Sequence, residues 1–412
     1  MQEQRRDHQS ALASAPRTAR RKNHDARAQL RRAPAMQVVV ANSIDAFGRD
    51  EWNALFPGEL EDWSYYRAIE GARLAGFSWL YFGVRDGDTL RAAVPAFVVD
   101  YRLDTTLSGP LRRVTDAIGR ALPRLLTQRM LSLGSPVAEV CHLGFALRST
   151  PQEQRAMLGA IFDKVEEYTK QHRVRMIAVK DAPAAQDELW AAAARAHGLR
   201  RQPGLPTASL DIRFADLNGY LTALTPGTRK DMRRKLKTAG ALRAEWRRDV
   251  SAIRDDVMRL YAATYERAEF DFEKLTPGYF EGVLRDLGER ASCVAYWLGE
   301  RLVAFNLVLH DERRLLDKFL GMDYAVARDY NLYFVTWMEN VRHCIARGIP
   351  VYQSGQGLHR EKVRLGSRLA TNWLWYRHCN RVLDAIIGSV EKLARLDRHD
   401  PELAALIARE ET

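Results

Sequence analysis

This chain lacks most of the features that place a protein quickly. No apolar run approaches the ~18 residues that would cross a membrane. Its four cysteines, Cys141, Cys293, Cys344 and Cys379, are scattered with no Cys-x-x-Cys pair. That excludes a disulfide framework and reads as free thiols in a reducing compartment. There is no G-x-x-x-x-G-K-S/T phosphate loop, no G-x-G-x-x-G, no G-x-S-x-G elbow and no metal-ligand Cys/His spacing. P-loop hydrolysis, dinucleotide chemistry on a Rossmann turn, α/β-hydrolase chemistry and a structural zinc are therefore unsupported. Acidic residues are outnumbered, 52 against 63 Lys and Arg, for a formal net charge of +11. This favours anionic partners, among them phosphates, acidic carrier proteins and anionic lipid, without choosing between them.

What is present is ordinary globular material. The 412 residues are 46% hydrophobic and 28% charged, enough for two or three domains with full cores. Residues 1–35 stand apart as a basic arm rich in Arg, Ala and Gln, with no apolar stretch after the Arg pairs. It reads as disordered, or as an upstream extension, because Met36 directly precedes the strand-like Val38-Val39-Val40.

The rest reads as two consecutive units of the same order. The first has a strand at 36–41, helices at 44–55 and 64–75, and strands at 78–84 and 90–101. After an insertion at 102–130 come a strand at 130–134, a helix at 151–172, a strand at 174–180, a helix at 184–197 and a strand at 206–213. The second has a strand at 242–248, helices at 251–267 and 277–288, and strands at 291–298, 301–310 and 313–321. A helix at 331–347 follows, then strands at 350–354 and 369–377 and a closing helix at 380–396. Strands rest on β-branched and aromatic runs bounded by turns. Helices rest on spacing: Phe334, Met338, Val341 and Ile345 share one face. The fold class expected is α/β with mixed sheets, in two tandem lobes, 36–213 and 214–380, with a helical extension at 381–412.

Several residues could carry chemistry. In the turn Arg328-Asp329-Tyr330-Asn331-Leu332-Tyr333, Asp329 or Asn331 would cap the helix, and its opening amides would favour an anion or a polarised carbonyl. Tyr330 and Tyr333 could protonate a leaving thiolate; the alternative is an ordinary capped helix with tyrosines packed on the sheet. Lys318 lies in the apolar run Leu315–Leu320, which is costly unless it is paired, faces a cavity or snorkels from an edge. Strict alternation sends Asp317 to the opposite face. The loop 353–366 holds Gln353, Ser354, Gln356, His359, Glu361, Lys362 and Arg364, and His359 is nearest in pKa to the task of deprotonating an ammonium. The run Arg229–Lys237 follows Thr228, a natural N-cap, and sets Lys230, Arg233 and Arg234 on a basic helix without the aromatic interleaving of a base-stacking surface. In the insertion, Leu111, Val114, Ile118, Leu122 and Leu125 keep helical spacing among Arg112, Arg113, Arg120, Arg124 and Arg129. Such a segment could lie on an anionic membrane or cover the protein's own core.

Three of these stretches carry a resemblance. Leu224–Arg234 resembles an "L-s-x-x-x-R-x-x-x-R-R" entry, Asp329–Tyr333 occupies the place of a donor-binding turn, and Glu361–Gly366 is similar to a "Y-K-x-R-F-G" segment. Together they resemble the acyl-CoA N-acyltransferase (GNAT-like) superfamily, in its Fem-type, BioF2-like two-lobed branch, over about residues 210–380. The resemblance implies transfer of an acyl or aminoacyl group to an amine. Acyl-CoA or an acyl carrier protein thioester would be co-substrate, with no permanently bound cofactor and no metal. The acceptor would be a small or lipid-like amine, such as a sphingoid base or a cell-envelope precursor. In this reading His359 or Glu361 is the base, and Tyr330 or Tyr333 the acid. Arg328, Asn331, Leu332, Lys230, Arg233, Arg234, Lys362 and Arg364 hold the donor, while Lys318, Gln353 and Gln356 line the acceptor cleft. The location expected is cytoplasmic, with peripheral contact at the inner membrane face; nucleic acid is not an expected partner. Two alternatives stand: a Fem-type enzyme drawing on aminoacyl-tRNA, and a non-catalytic protein binding an anionic ligand.

Overall fold

A computed structural model describes residues 36–103, 127–267, 272–394, 404–406 and 408. The basic arm and the helical stretch of the insertion, from Leu111 to Leu125, lie outside the described residues. Arg129, grouped above with that helix, stands on a strand.

The first sheet contains β1 (Gln37–Ala41), β2 (Phe77–Asp86), β3 (Thr89–Arg102), β4 (Thr127–Leu133), β5 (Gly144–Phe145), β6 (Met176–Pro183) and β7 (Arg200–Pro203). The second contains β8 (Thr207–Asp211), β9 (Leu242–Arg247), β10 (Ala291–Leu298), β11 (Arg301–His310), β12 (Leu315–Met322), β13 (Val351–Gln353) and β14 (Arg368–Ala370). The last strand, β15 (Asn372–His378), returns to the first sheet and inserts between β6 and β7. β8 correspondingly leaves the first half of the chain and pairs with β13 and β14 in the second sheet. The division expected at 213/214 is thus corrected: the lobes exchange strands. Local pattern marks a strand but carries no information about which sheet receives it.

Each sheet is mixed, with one parallel pair: β4 with β6, and β12 with β13. Period-2 alternation sorts the side chains. Leu131, Ile177, Trp373 and Trp375 pack on helices Pro151–Gln171 and Asp187–Ala196. The second sheet buries Val294, Val308 and Leu315 against helix Leu332–Arg347, and Cys293, Phe305 and Leu307 against helices Arg254–Tyr265 and Pro277–Leu287. Helix Trp63–Gly71 of the first lobe packs on Pro277–Leu287 of the second, so one core cluster is shared. Helix ends follow from chemistry: Thr150 and Glu153 form a capping box after which Pro151 opens a helix, and Gly348, at φ 68°, ends Leu332–Arg347. Helices Leu217–Ala223 and His359–Arg364 were not in the sequence reading, whereas the basic helix expected after Thr228 forms as Pro226–Lys235. Among the described residues no helix is long and apolar enough to cross a membrane.

Candidate active site

The two parallel pairs point their carboxyl ends at one cavity of about 720 Å³ between the lobes. In the second lobe β12 and β13 pair at Leu315–Tyr352 and Leu316–Gln353 alone; β13 then ends while β12 runs on. The gap is bordered by Asp317–Leu320 on one side and Ser354–Leu358 on the other. In the first lobe β4 and β6 pair from Met130–Met176 to Leu133–Val179, and the residues beyond, Pro136–Glu139 and Lys180–Asp181, border the same space. Crevices outside the carboxyl ends of parallel strands are where α/β sheets receive ligands.

Lys318 reaches this space through a bulge. Leu307 pairs with Phe319 and Val308 with Asp317, which leaves Lys318 as an extra residue on β12. The expected opposition of Asp317 and Lys318 holds, since Asp317 is bound by Asn340 and Tyr352 and Lys318 by the first lobe; the bulge puts Lys318 on the side of Phe319, and both charged residues border the cavity. Asp317 accepts from the Tyr352 hydroxyl at 2.8 Å, Asn340 Nδ2 at 3.2 Å and Asn306 Nδ2 at 3.3 Å. Burial raises its pKa against those donors. The Lys318 side chain is 2% exposed and does not snorkel from an edge. Its ammonium donates to Glu61 Oε1 of the first lobe at 2.5 Å and to the Val137 carbonyl at 2.6 Å, leaving one of three N–H groups for a ligand. Glu61 is 3% exposed, and His142 Nε2 lies 3.5 Å from it and 3.4 Å from Glu59.

Lys362 is the second buried ammonium. It donates to the carbonyls of Ser354 and Gly355. Burial pushes its pKa down to about 8, with Glu139 and Asp317 pulling upward. Gly355, at φ +84°, allows this approach: a Cβ there would sit 3.3 Å from Glu139 Oε1 and 3.5 Å from Lys362 Nζ. Glu139 accepts from Gln353 Nε2 at 2.7 Å, and Gln356 Nε2 donates to the carbonyls of Glu139 and Leu205, each at 3.1 Å. Burial raises the Glu139 pKa against the pull of Lys318. Lys180 donates to Asp181 and to the Ala138 carbonyl. Glu273, partly exposed on the cavity wall, makes no ion pair among the described residues. Burial pushes its pKa up to about 7, opposed by Lys180 and Lys318. The Tyr333 hydroxyl is buried beside the cavity with no hydrogen bond among the described residues, and burial raises its pKa.

Of the residues singled out by sequence, Asp317, Lys318, Ser354, Gln356, Tyr333 and Lys362 border the cavity, and Gln353 reaches its wall through Glu139. The others do not. Asn331 is left-handed, at φ 52°, and its side chain does not cap the helix; nor does Asp329. The amides of Asn331 and Leu332 donate to the carbonyls of Arg328 and Ala327, at 3.4 and 3.0 Å, so they are not open donors for a carbonyl. Arg328 is exposed, and Tyr330 lies off the cavity. The loop expected at 353–366 closes into helix His359–Arg364, which turns Lys362 and Leu365 inward and leaves Leu358, 61% exposed, at the rim of the cavity. His359 Nδ1 lies 3.4 Å from the Gln356 carbonyl, and Glu361 pairs with Arg364 at 3.2 Å, outside the cavity. Their assignment as base is corrected by this helical phase. The basic helix is capped by Thr225, not Thr228. There Arg234 and Arg364 both engage Asp231, Arg233 donates to Asn218, and Lys230 is exposed.

Sequence reasoning missed Glu139, Asp181, Glu273 and Lys180. A signal existed for Lys180: it interrupts Met176–Val179 as Lys318 interrupts its own strand. Among the described residues no cluster could hold a metal ion.

Residues 227–363 match the family model described as an acetyltransferase (GNAT) domain. A comparison with curated protein sequences finds no match. Among solved structures, the crystal structure of FemX is similar over 83% of this chain and 98% of its own, at 12% identity and a TM-score of 0.54. A tandem GNAT protein from the clavulanic acid biosynthesis pathway covers 84% and 99%, at 14% identity and a TM-score of 0.49. The C-terminal domain of a putative lysylphosphatidylglycerol synthetase from Agrobacterium fabrum covers 81% and 93%, at 13% and 0.47. Residues 227–363 are thus similar to a GNAT acetyltransferase domain, and the two-lobed fold as a whole is similar to that of FemX.

Proposed function

We propose that the protein is an N-acyltransferase that moves an acyl group from a thioester, of coenzyme A or an acyl carrier protein, to the amine of a small or lipid-like acceptor. The observation that carries this is the cavity at the paired strand ends, which holds two buried ammonium groups, a high-pKa carboxylate and an unengaged phenol. Glu273 takes the proton from the incoming ammonium, since its pKa of about 7 suits a base at neutral pH. The freed nitrogen forms a bond to the thioester carbonyl carbon. The remaining N–H of Lys318 or Lys362 faces the oxygen as it gains charge, which is the largest single contribution such sites make. The carbon–sulfur bond breaks, the Tyr333 hydroxyl protonates the departing thiolate, and the second proton shed by the nitrogen restores the phenol. The products are an amide and a free thiol. The basic helix, outside the cavity, suits the donor's phosphates or an acidic carrier. The site of action is proposed as cytoplasmic, with peripheral contact at the membrane.

The test incubates purified protein with acyl-CoA or acyl carrier protein thioesters and a panel of amines, following thiol release and amide mass. Lipid profiles with and without the gene product would name the acceptor. Thiol release coupled to one new amide supports the reading. Absence of turnover on every thioester, with amino acid released from charged tRNA, replaces it by the aminoacyl-tRNA alternative.

A further inference from the structure

The transfer chemistry uses one end of the cavity and leaves the other unexplained. The first sheet's face opposite helices Pro151–Gln171 and Asp187–Ala196 presents Phe97, Met130, Met176, Ala178, Leu374 and Tyr376 to this space. Phe272 roofs the strip, its ring 5.9 Å from Phe97, and helix Arg381–Ala394 adds Ile386 and Ile387. Along β6 the strip runs from Met176 to Ala178 and meets charge at Lys180, about 13 Å on at ~3.3 Å per residue. Water in such a groove finds few partners, whereas methylene groups find apolar walls on both sides.

We infer that this strip seats a long unbranched aliphatic chain belonging to one of the two reactants, with its polar head at Lys180, Glu139 and Lys318. The inference deepens the N-acyl transfer reading and rests on the same cavity. Ala178, small between Met130, Met176 and Tyr376, sets the clearance, and Ile386, 53% exposed, stands at the mouth. The chain belongs either to the acyl donor or to the acceptor amine.

Fluorescence titration of the full chain with cis-parinaric acid tests this without turnover. Saturable binding is expected, displaced by palmitate or hexadecylamine. Affinity in an octyl-to-hexadecyl series should rise up to about fourfold per methylene while the strip fills. Ala178→Phe and Ile386→Asp should each weaken binding at least tenfold with unchanged far-UV circular dichroism; Ile386, being exposed, guards against a variant that merely fails to fold. Stronger displacement by palmitate assigns the chain to the donor, and stronger displacement by hexadecylamine to the acceptor. No saturable binding, no dependence on length, or two variants that bind like wild type would overturn the inference. A protein that binds the chain but forms no amide upholds the seat and defeats the transferase reading.

Discussion

Replacing Glu273 by Gln should separate rate from stability in opposite directions. The carboxyl titrates at about 7 instead of its ordinary 4.5 because burial disfavours its charge. The folded state thus holds this proton more tightly than the unfolded state does, and folding loses stability as pH rises from 4.5 through about 7. The full shift corresponds to roughly 3 kcal/mol. Glu273 is partly exposed, so water screens some of that, and a gain of about 1–3 kcal/mol is expected for the variant at pH 8. At pH 4, where both side chains are neutral, the difference should vanish. Urea unfolding at the two pH values measures it. In parallel, wild-type kcat/KM should rise through an apparent pKa near 7, while the variant falls by ~10²–10⁴ and loses that limb. A variant no more stable than wild type at pH 8, or one that turns over normally, would refute the assignment.

Tyr333→Phe should slow amide formation ~10²-fold with unactivated thioesters, and less with aryl thioesters whose thiolate leaves without a proton; equal slowing of both would remove Tyr333 as acid. Lys318→Met strips the buried Glu61 of its ammonium, and with His142 still 3.5 Å away the loss should fall near 3 kcal/mol, at the low end for a broken buried pair. Adding Glu61→Gln should recover part of it in a double-mutant cycle read by urea unfolding. His359→Ala and Glu361→Gln should each stay within about twofold of wild-type kcat/KM, as surface changes off the cavity do.

Secondary structure was largely legible because alternation and helical spacing are local properties. The strands 291–298 and 301–310 and the helix near 332–347 fall where apolar period and turn residues put them. The site was legible in half. Lys318 stood out because a charge inside an apolar strand demands a partner, and Lys362 because it lay in a polar segment. The distant partners were not legible: Glu61, which pairs with Lys318, and Glu139, which accepts from Gln353, each sit more than two hundred residues away and arrive only when the lobes pack. The bulge at Lys318 was hidden as well, since two-residue alternation assumes an unbroken ladder. His359 and Glu361 looked catalytic by residue type, and helical phase turned them away.

The exchange of β8 and β15 sets the order in which this molecule can be completed. As the chain leaves the ribosome, the first sheet waits with an open slot between β6 and β7 until residues 372–378 arrive. A fragment cut near residue 213 would present that unfilled edge to solvent and to its neighbours, which invites association between copies. The two halves are therefore a mutual template: neither can be lifted out, expressed alone and expected to keep its shape.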